Sequence, residues 1–450
     1  MSGPAGSVEA EESKAVQELS LVQAIQYALE NNRNLHGARL GVMSNEMSVQ
    51  SAESDFDLQV RPLGSFGFSS DNENSWLLGA TVSKSFSTGV DLSVSPTVSE
   101  SDDEMTSDVA VSLNVPLLQG AGREFAMSQV YTSIYAYETA KLSYYSQQIN
   151  TILQTVTSVY ATIRTNLQIQ LLENQLQMLR EHLFLAQVKE KSGIISAIDL
   201  YRAEIRYNDV LNELNSVREQ HLNNIDSVKD ILGIPQRGEV VLTAPLEFEQ
   251  VNMQLEEALE IAQINRLEIE RAHANLAEKK RLLRIARNNL LPQLNMQLGY
   301  NLSGNNVFED MEEDSWSITF ESDTNLLRTR EQNAYQQKKI EVQQAELDLE
   351  SSRESVSRQV RSELNSMEKQ KKRLELREKQ VQQTVGKLRL SQSKFEHGMT
   401  DNFVLIEAQT ELQEAQNNNL LERINYINGV YRLRAALGTL LERSNEAEEE

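Results

Sequence analysis

The chain has 450 residues with only 7 Pro and 19 Gly, no Cys, and 66 acids against 43 bases, for a formal net charge of −23. That balance excludes nucleic acid as a partner, because phosphate binding needs clustered Lys and Arg. The absence of Cys excludes disulfides, thiolate metal sites and cysteine nucleophiles, and no apolar run reaches the length of a membrane-spanning helix.

In chain order, residues 1–18 are polar and read as a disordered segment, without the apolar stretch of a signal peptide; the signal of an exported protein is not within them. A helix follows at Leu21-Val-Gln-Ala-Ile-Gln-Tyr-Ala28. Strands are predicted over about 60–118, where Trp76, Leu78, Ala80 and Val82, then Val90, Leu92 and Val94, then Val109, Val111, Leu113 and Val115 alternate with mostly polar residues. Residues 123–192 hold neither Gly nor Pro, which allows one helix of roughly 100 Å at about 1.5 Å per residue. A shorter helix is expected over 194–232, and then a linker, 234–250, in which Pro235 and Pro245 bracket an extended run at 239–243. The pattern then starts again: a helix from Leu255, strands over about 293–322, a long helix over 325–397 containing only Gly386, a helix over 399–437, and an acidic tail, 442–450, read as disordered.

The two halves are a duplication. Gly193 opens a helix that closes at Ile231-Leu232-Gly233, Gly398 opens one that closes at Ala436-Leu437-Gly438, and both glycine pairs are 205 residues apart, as are Ala203 and Ala408, or Arg218 and Arg423. The leading helices at Leu21 and Leu255 are 234 apart instead. Repeat 1 (19–233) thus carries about 29 residues more than repeat 2 (251–441), placed in an extra hairpin at about 83–108.

In the long helices, apolar residues recur at three- and four-residue steps: Ile149, Ile152, Val156, Val159 and Ile163 in one, and Val360, Leu364, Met367, Leu374, Val381, Val385 and Leu388 in the other. These are coiled-coil seams, to be packed on one another and on neighbouring subunits. The alternating strands fit either a transmembrane barrel, closed so that every backbone group is paired, or a soluble antiparallel sheet with one buried face. One protomer has too few strands for a barrel, so subunits would contribute strands jointly.

The paired Gly-x5-(Asp/Val)-x3-Ala helices ending in Leu-Gly, with the strand-to-helix junction Pro116-Leu-Leu-Gln-Gly120, resemble the TolC, or outer-membrane efflux protein, family over about 19–441. The resemblance implies a mainly α chain with a β-barrel portion. Its homotrimer would share a twelve-stranded transmembrane β-barrel, four main strands from each copy, set in outer-membrane lipid. A long coiled-coil helical barrel would form the periplasmic tunnel. The implied partners are a periplasmic adaptor (membrane fusion) protein and an inner-membrane transporter of RND or ABC type, exporting drugs, metals or polypeptides from a diderm bacterium.

Gly193 and Gly398 would be the turns at the tips of the helical hairpins, where a C′ glycine tolerates positive φ. Family members narrow the entrance with two acids one helical turn apart; here those positions are Val404 and Glu407, so one carboxylate ring is missing and Glu407 is left to attract cations. The closing latch involves an acid after the first Gly, an aromatic before the second, and a base after it. Asp199 and Phe395 take the first two places, Phe395 without the usual hydroxyl, and Thr400 replaces the base, which implies a differently built latch. The second junction, Asp323-Thr-Asn-Leu-Leu327, lacks the Pro and Gly of the first.

No catalytic or cofactor role is expected. The histidines His36, His182, His221, His273 and His397 sit in no metal-ligand or triad context, and there is no GxGxxG, Walker loop or GxSxG. The rival reading is a soluble periplasmic coiled-coil scaffold or adaptor.

Overall fold

The computed structural model describes residues 17–68, 74–101, 104–236, 240–247, 251–305, 307–308, 310–325, 327–397, 399–400 and 402–442. The N-terminal 16 residues, the tail from 443 and Gly398 lie outside them. The chain divides into two units. One takes Met1–Gly37, Tyr145–Arg266 and Ser355–Glu450, the other Ala38–Tyr144 and Leu267–Glu354.

The first unit is helical. It contains strand β1 (Gln17–Ser20), α1 (Leu21–Asn31), much of α4 (Ser128–Lys191), α5 (Ala197–Leu232), β6 (Val240–Thr243), α6 (Leu255–Asn265), part of α8 (Thr329–Glu396) and α9 (Asn402–Leu437). Helix α1 starts where Ser20 and Gln23 form a reciprocal capping box. Its Leu21, Ala24 and Ala28 face the core, against Ile152, Val156, Val159 and Tyr160 of α4, Val228 and Leu232 of α5, and Ile424 and Ile427 of α9. Further along α4, Leu172 and Leu179, one heptad apart, pack on Val210, Leu214 and Val217 of α5, the a/d spacing of a coiled coil. In α8 the buried Val360, Met367 and Leu374 keep the heptad, and the helix runs unbroken through Gly386; Val385, off that heptad, is exposed. The linker run forms β6, which pairs in parallel with β1.

The duplication is visible as a repeated joint. Gly233 and Gly438 end α5 and α9 with φ of +70° and +73°, each placed so that a Cβ would collide with a backbone carbonyl, Asn31 in repeat 1 and Asn265 in repeat 2. One residue on, Asn32 donates its side-chain amide to the Ile231 carbonyl (2.8 Å), and Arg266 donates its guanidinium to the Ala436 carbonyl (2.9 Å). Both satisfy a helix-end carbonyl that has no partner within its own helix. Two cross-helix ion pairs repeat in the same way: Arg218–Glu173 at 2.6 Å and Arg423–Glu378 at 3.1 Å.

The second unit carries α2 (Arg33–Ser54) from Ala38 on, α3 (Arg123–Ala126), α7 (Leu267–Asn288), the remaining parts of α4 and α8, and one antiparallel sheet. Its strands are β2 (Gln59–Phe68), β3 (Asn74–Ser85), β4 (Asp91–Ser101), β5 (Glu104–Pro116), β7 (Asn295–Asn305) and β8 (Asp310–Glu321), in the spatial order β2-β3-β4-β5-β7-β8. The additional hairpin is β3–β4. It begins at Asn74, ahead of the alternating stretch at 83–108, and turns at 86–90 with Gly89 at φ +91°. It enters the sheet between β2 and β5, so the sheet has six strands instead of four.

Register makes the sheet two-faced. Antiparallel partners share a face, and one face collects Phe66↔Trp76, Val60↔Val82, Val82↔Val94, Val94↔Val111, Leu92↔Leu113, Leu113↔Leu298, Tyr300↔Trp316 and Met296↔Phe320. The opposite face collects Ser83↔Ser93, Ser93↔Ser112, Asn114↔Gln297 and Gln297↔Thr319. Hydroxyls bond across strands on this polar face, Thr81 to Ser95 at 3.0 Å and Ser93 to Ser112 at 2.7 Å.

Candidate functional site

The hairpin turn between α4 and α5 follows from local chemistry. Gly193 adopts φ +68° and donates its N–H to the Glu190 carbonyl, while Ile194 N–H reaches the Lys189 carbonyl, the Schellman closure that favours Gly at C′. At the other hairpin, Met399 N–H donates to the Lys394 carbonyl at 2.8 Å, the repeat-equivalent bond. Helix α5 then starts with a second capping box: the Ser196 N–H donates to the Asp199 carboxylate at 3.3 Å, the Asp199 N–H donates back to Ser196 Oγ, and Ser196 Oγ also donates to the carboxylate at 2.7 Å. Those bonds from Ser196, with Arg202 at 3.5 Å, hold the exposed Asp199 carboxyl below its usual range.

Asp199 and Glu407 line one cleft of ≈ 590 Å³ between α5 and α9, with Arg202, Arg206, Phe403 and Glu411. Arg206 bridges the two helices through Thr410 Oγ1 at 3.1 Å. Glu407 is exposed on α9, and Val404, one turn before it, is half-buried. Behind Glu411 stands Lys387 of α8, paired at 2.6 Å. The hydrogen bond to Glu411 raises the Lys387 pKa, and the charges of Glu411 and Glu407 add to the shift. Phe395 lies under the Lys189 ammonium, 5.3 Å from ring centroid to Nζ, so a cation–π contact joins the ends of α4 and α8. Thr400 is half-buried beyond that end. Phe395, Val404 and Thr400 do not line the cleft.

Sequence reasoning missed Lys387, Glu411 and the Arg206–Thr410 bridge. The capping box was readable as Ser196-x-x-Asp199, but partners from another helix need the register of α8 and α5 on α9, which no local pattern carries. Among the described residues, no three His, Asp or Glu side chains cluster as metal ligands, and no helix is long and apolar enough to cross a membrane. The sheet exposes large apolar side chains instead: Phe66 and Phe68 on edge strand β2 and Trp316 and Phe320 on edge strand β8 are 63–86% exposed.

The model of the outer membrane efflux protein family matches residues 24–234 and 258–439, one segment in each repeat. The chain belongs to this family. It is an outer-membrane efflux channel, of a family that works with efflux-pump partners, and the soluble scaffold is set aside. No curated protein matches it in sequence. Its fold is similar to that of the Campylobacter jejuni CmeC outer membrane channel (12% identity, covering 95% of this chain and 88% of that one, TM-score 0.75). It is also similar to a membrane protein from Pseudomonas aeruginosa (14%, 96% and 92%, 0.74) and to the open state of the Neisseria gonorrhoeae MtrE outer membrane channel (14%, 95% and 90%, 0.70).

Proposed function

We propose that three copies of this efflux channel assemble around one axis, close a common barrel in the outer membrane and form a passive duct for drugs, metals or polypeptides. The organisation would be repeat 1 over 19–233, a linker over 234–250 and repeat 2 over 251–441. The hairpin tips at Gly193 and Gly398 would meet a periplasmic adaptor and an inner-membrane transporter of RND or ABC type. The observation that carries the reading is the two-faced sheet, apolar on one side and hydroxyl- and amide-rich on the other, with the outer edges of β2 and β8 unpaired among the described residues. A strand edge has no place in hydrocarbon, because its N–H and C=O groups would lack partners.

At the tip, Glu407 of each copy would form a single carboxylate ring, with Val404 making the preceding turn apolar. Asp199, Phe395 and Thr400 would take the places of the latch, with the Lys189–Phe395 contact standing in for a hydroxyl link. Single-channel recording of the detergent-extracted protein in planar bilayers tests the proposal. Discrete cation-favouring conductance, blocked by divalent ions and relieved by Glu407→Ala, is expected; a monodisperse water-soluble protein without conductance rejects it. Ser196→Ala separates capping from latching, since it breaks the α5 cap but leaves the Asp199 carboxylate. A rise in resting conductance with Asp199→Ala alone identifies the latch.

A further inference from the structure

We infer that this channel closes as an eighteen-stranded barrel, six strands from each of three copies, with the β3–β4 hairpin built into the wall. The inference rests on the three-copy reading above and adds the wall's composition and width.

Three observations carry it. First, β3 and β4 are bonded along their lengths to each other and to the flanking strands: β2 pairs with β3 from Gln59↔Ser83 to Phe68↔Asn74, and β4 with β5 from Asp91↔Asn114 to Ser101↔Glu104. A hairpin capping the lumen or lying outside the ring would leave β2 and β5 to pair directly, and they do not. Second, the hairpin keeps the two-faced register of its neighbours. Val82 and Val94 continue the apolar face, and Thr81, Ser83, Ser93 and Ser95 continue the polar one. Third, the parity closes. All five pairings are antiparallel, so with six strands β8 of one copy runs antiparallel to β2 of the next, and the alternation continues around the ring. The occupant of each open edge is therefore a second copy of this chain, and Phe66 and Phe68 of one copy would lie on the same apolar face as Trp316 and Phe320 of the neighbour.

Width follows from strand number. With strands about 4.8 Å apart and tilted about 40°, a twelve-stranded wall has a backbone diameter of roughly 24 Å and an eighteen-stranded one roughly 36 Å. The second is the size class of barrels that leave an open aqueous lumen. Here the added sector of that lumen is lined mainly by the hydroxyls of Thr81, Ser83, Ser93 and Ser95, with Asp91 at the turn end of β4 and Arg61 of β2 opposite Thr81, so the barrel would pass bulky polar solutes.

Electron cryomicroscopy of the detergent-extracted full chain tests this directly, and three copies with eighteen wall strands are expected. Twelve wall strands overturn the inference, whether they come from three copies with the hairpin set aside or from two copies of six. A soluble particle without a ring overturns both the inference and the channel reading, which separates the two failures. Because the chain has no cysteine, a second measurement is clean. In reconstituted channels, a membrane-impermeant thiol reagent is expected to modify Ser93→Cys and lower its conductance while leaving Val94→Cys unmodified. Equal reaction at the two positions rejects a hairpin built into the wall.

Discussion

At the scale of single residues, charge and burial act through partners on other helices. Lys387 sits where Glu407 and Glu411 both raise its pKa, so it offsets part of the negative potential that each copy would contribute to the aperture. Lys387→Gln is expected to raise the cation-to-anion permeability ratio by about two- to fivefold, the range of an exposed ion pair, read as a reversal potential under a salt gradient. An unchanged potential removes Lys387 from the aperture field. His221 supplies the pH dependence. Its Nδ1 lies 2.9 Å from Thr165 Oγ1, and burial holds its pKa below 6.5. The fold favours the neutral ring, so this contribution is complete above pH 6.5 and is lost as the pH falls through the folded value. The melting temperature is expected to drop between pH 7 and 5, and His221→Gln to flatten part of that drop; the rest is assigned to His182, which burial shifts in the same direction.

At the scale of elements, the joints decide. Arg266 is 8% exposed and serves the Ala436 carbonyl together with Gln359 Oε1 at 2.8 Å. Arg266→Ala leaves the buried Ala436 helix end without that donor, while the exposed Gln359 turns to water, and is expected to cost about 1–3 kcal/mol in chemical denaturation. The strand-to-helix junctions solve one backbone problem in two ways. In repeat 1, Gly120 and Gly122 take φ of +89° and +101°. In repeat 2, which lacks the Gly, Arg328 turns the chain at φ +47° and is held there by its guanidinium on the Leu290 carbonyl at 2.6 Å and the Asn289 carbonyl at 3.1 Å. Arg328→Gly relieves the backbone strain while losing those bonds, whereas Arg328→Ala keeps the strain and loses them too. The alanine variant is expected to be less stable than the glycine one by about 1 kcal/mol; equal stabilities would mean the strain is not real. The glycine turns, the heptads at Val360, Met367 and Leu374 and the 205-residue offset were legible because each is a local or periodic pattern. Arg266 and Arg328 were not, since a long side chain reaching a helix end in a distant segment leaves no spacing to read.

At the scale of the whole molecule, the strands were legible as period-2 runs, but their order was not: alternation marks a face and never a neighbour, so the same sequence pattern suits a hairpin inside or outside the sheet. The chain's two tryptophans offer a test that uses this difference. Trp76 lies on β3 of the added hairpin and Trp316 on edge strand β8, and cross-strand register puts both on the apolar face. Tryptophan fluorescence therefore reports the sheet alone, while far-ultraviolet circular dichroism is dominated by the helices. In bilayers of brominated lipid the emission is expected to be strongly quenched, and acrylamide added to the aqueous phase is expected to have little effect. Trp316→Phe leaves Trp76 as the sole reporter. If its emission is still quenched by the lipid, the hairpin faces hydrocarbon together with β8. If only the wild type is quenched and the variant responds to acrylamide instead, Trp76 and the hairpin face it shares with Val82 and Val94 lie in water and not in the lipid-facing wall.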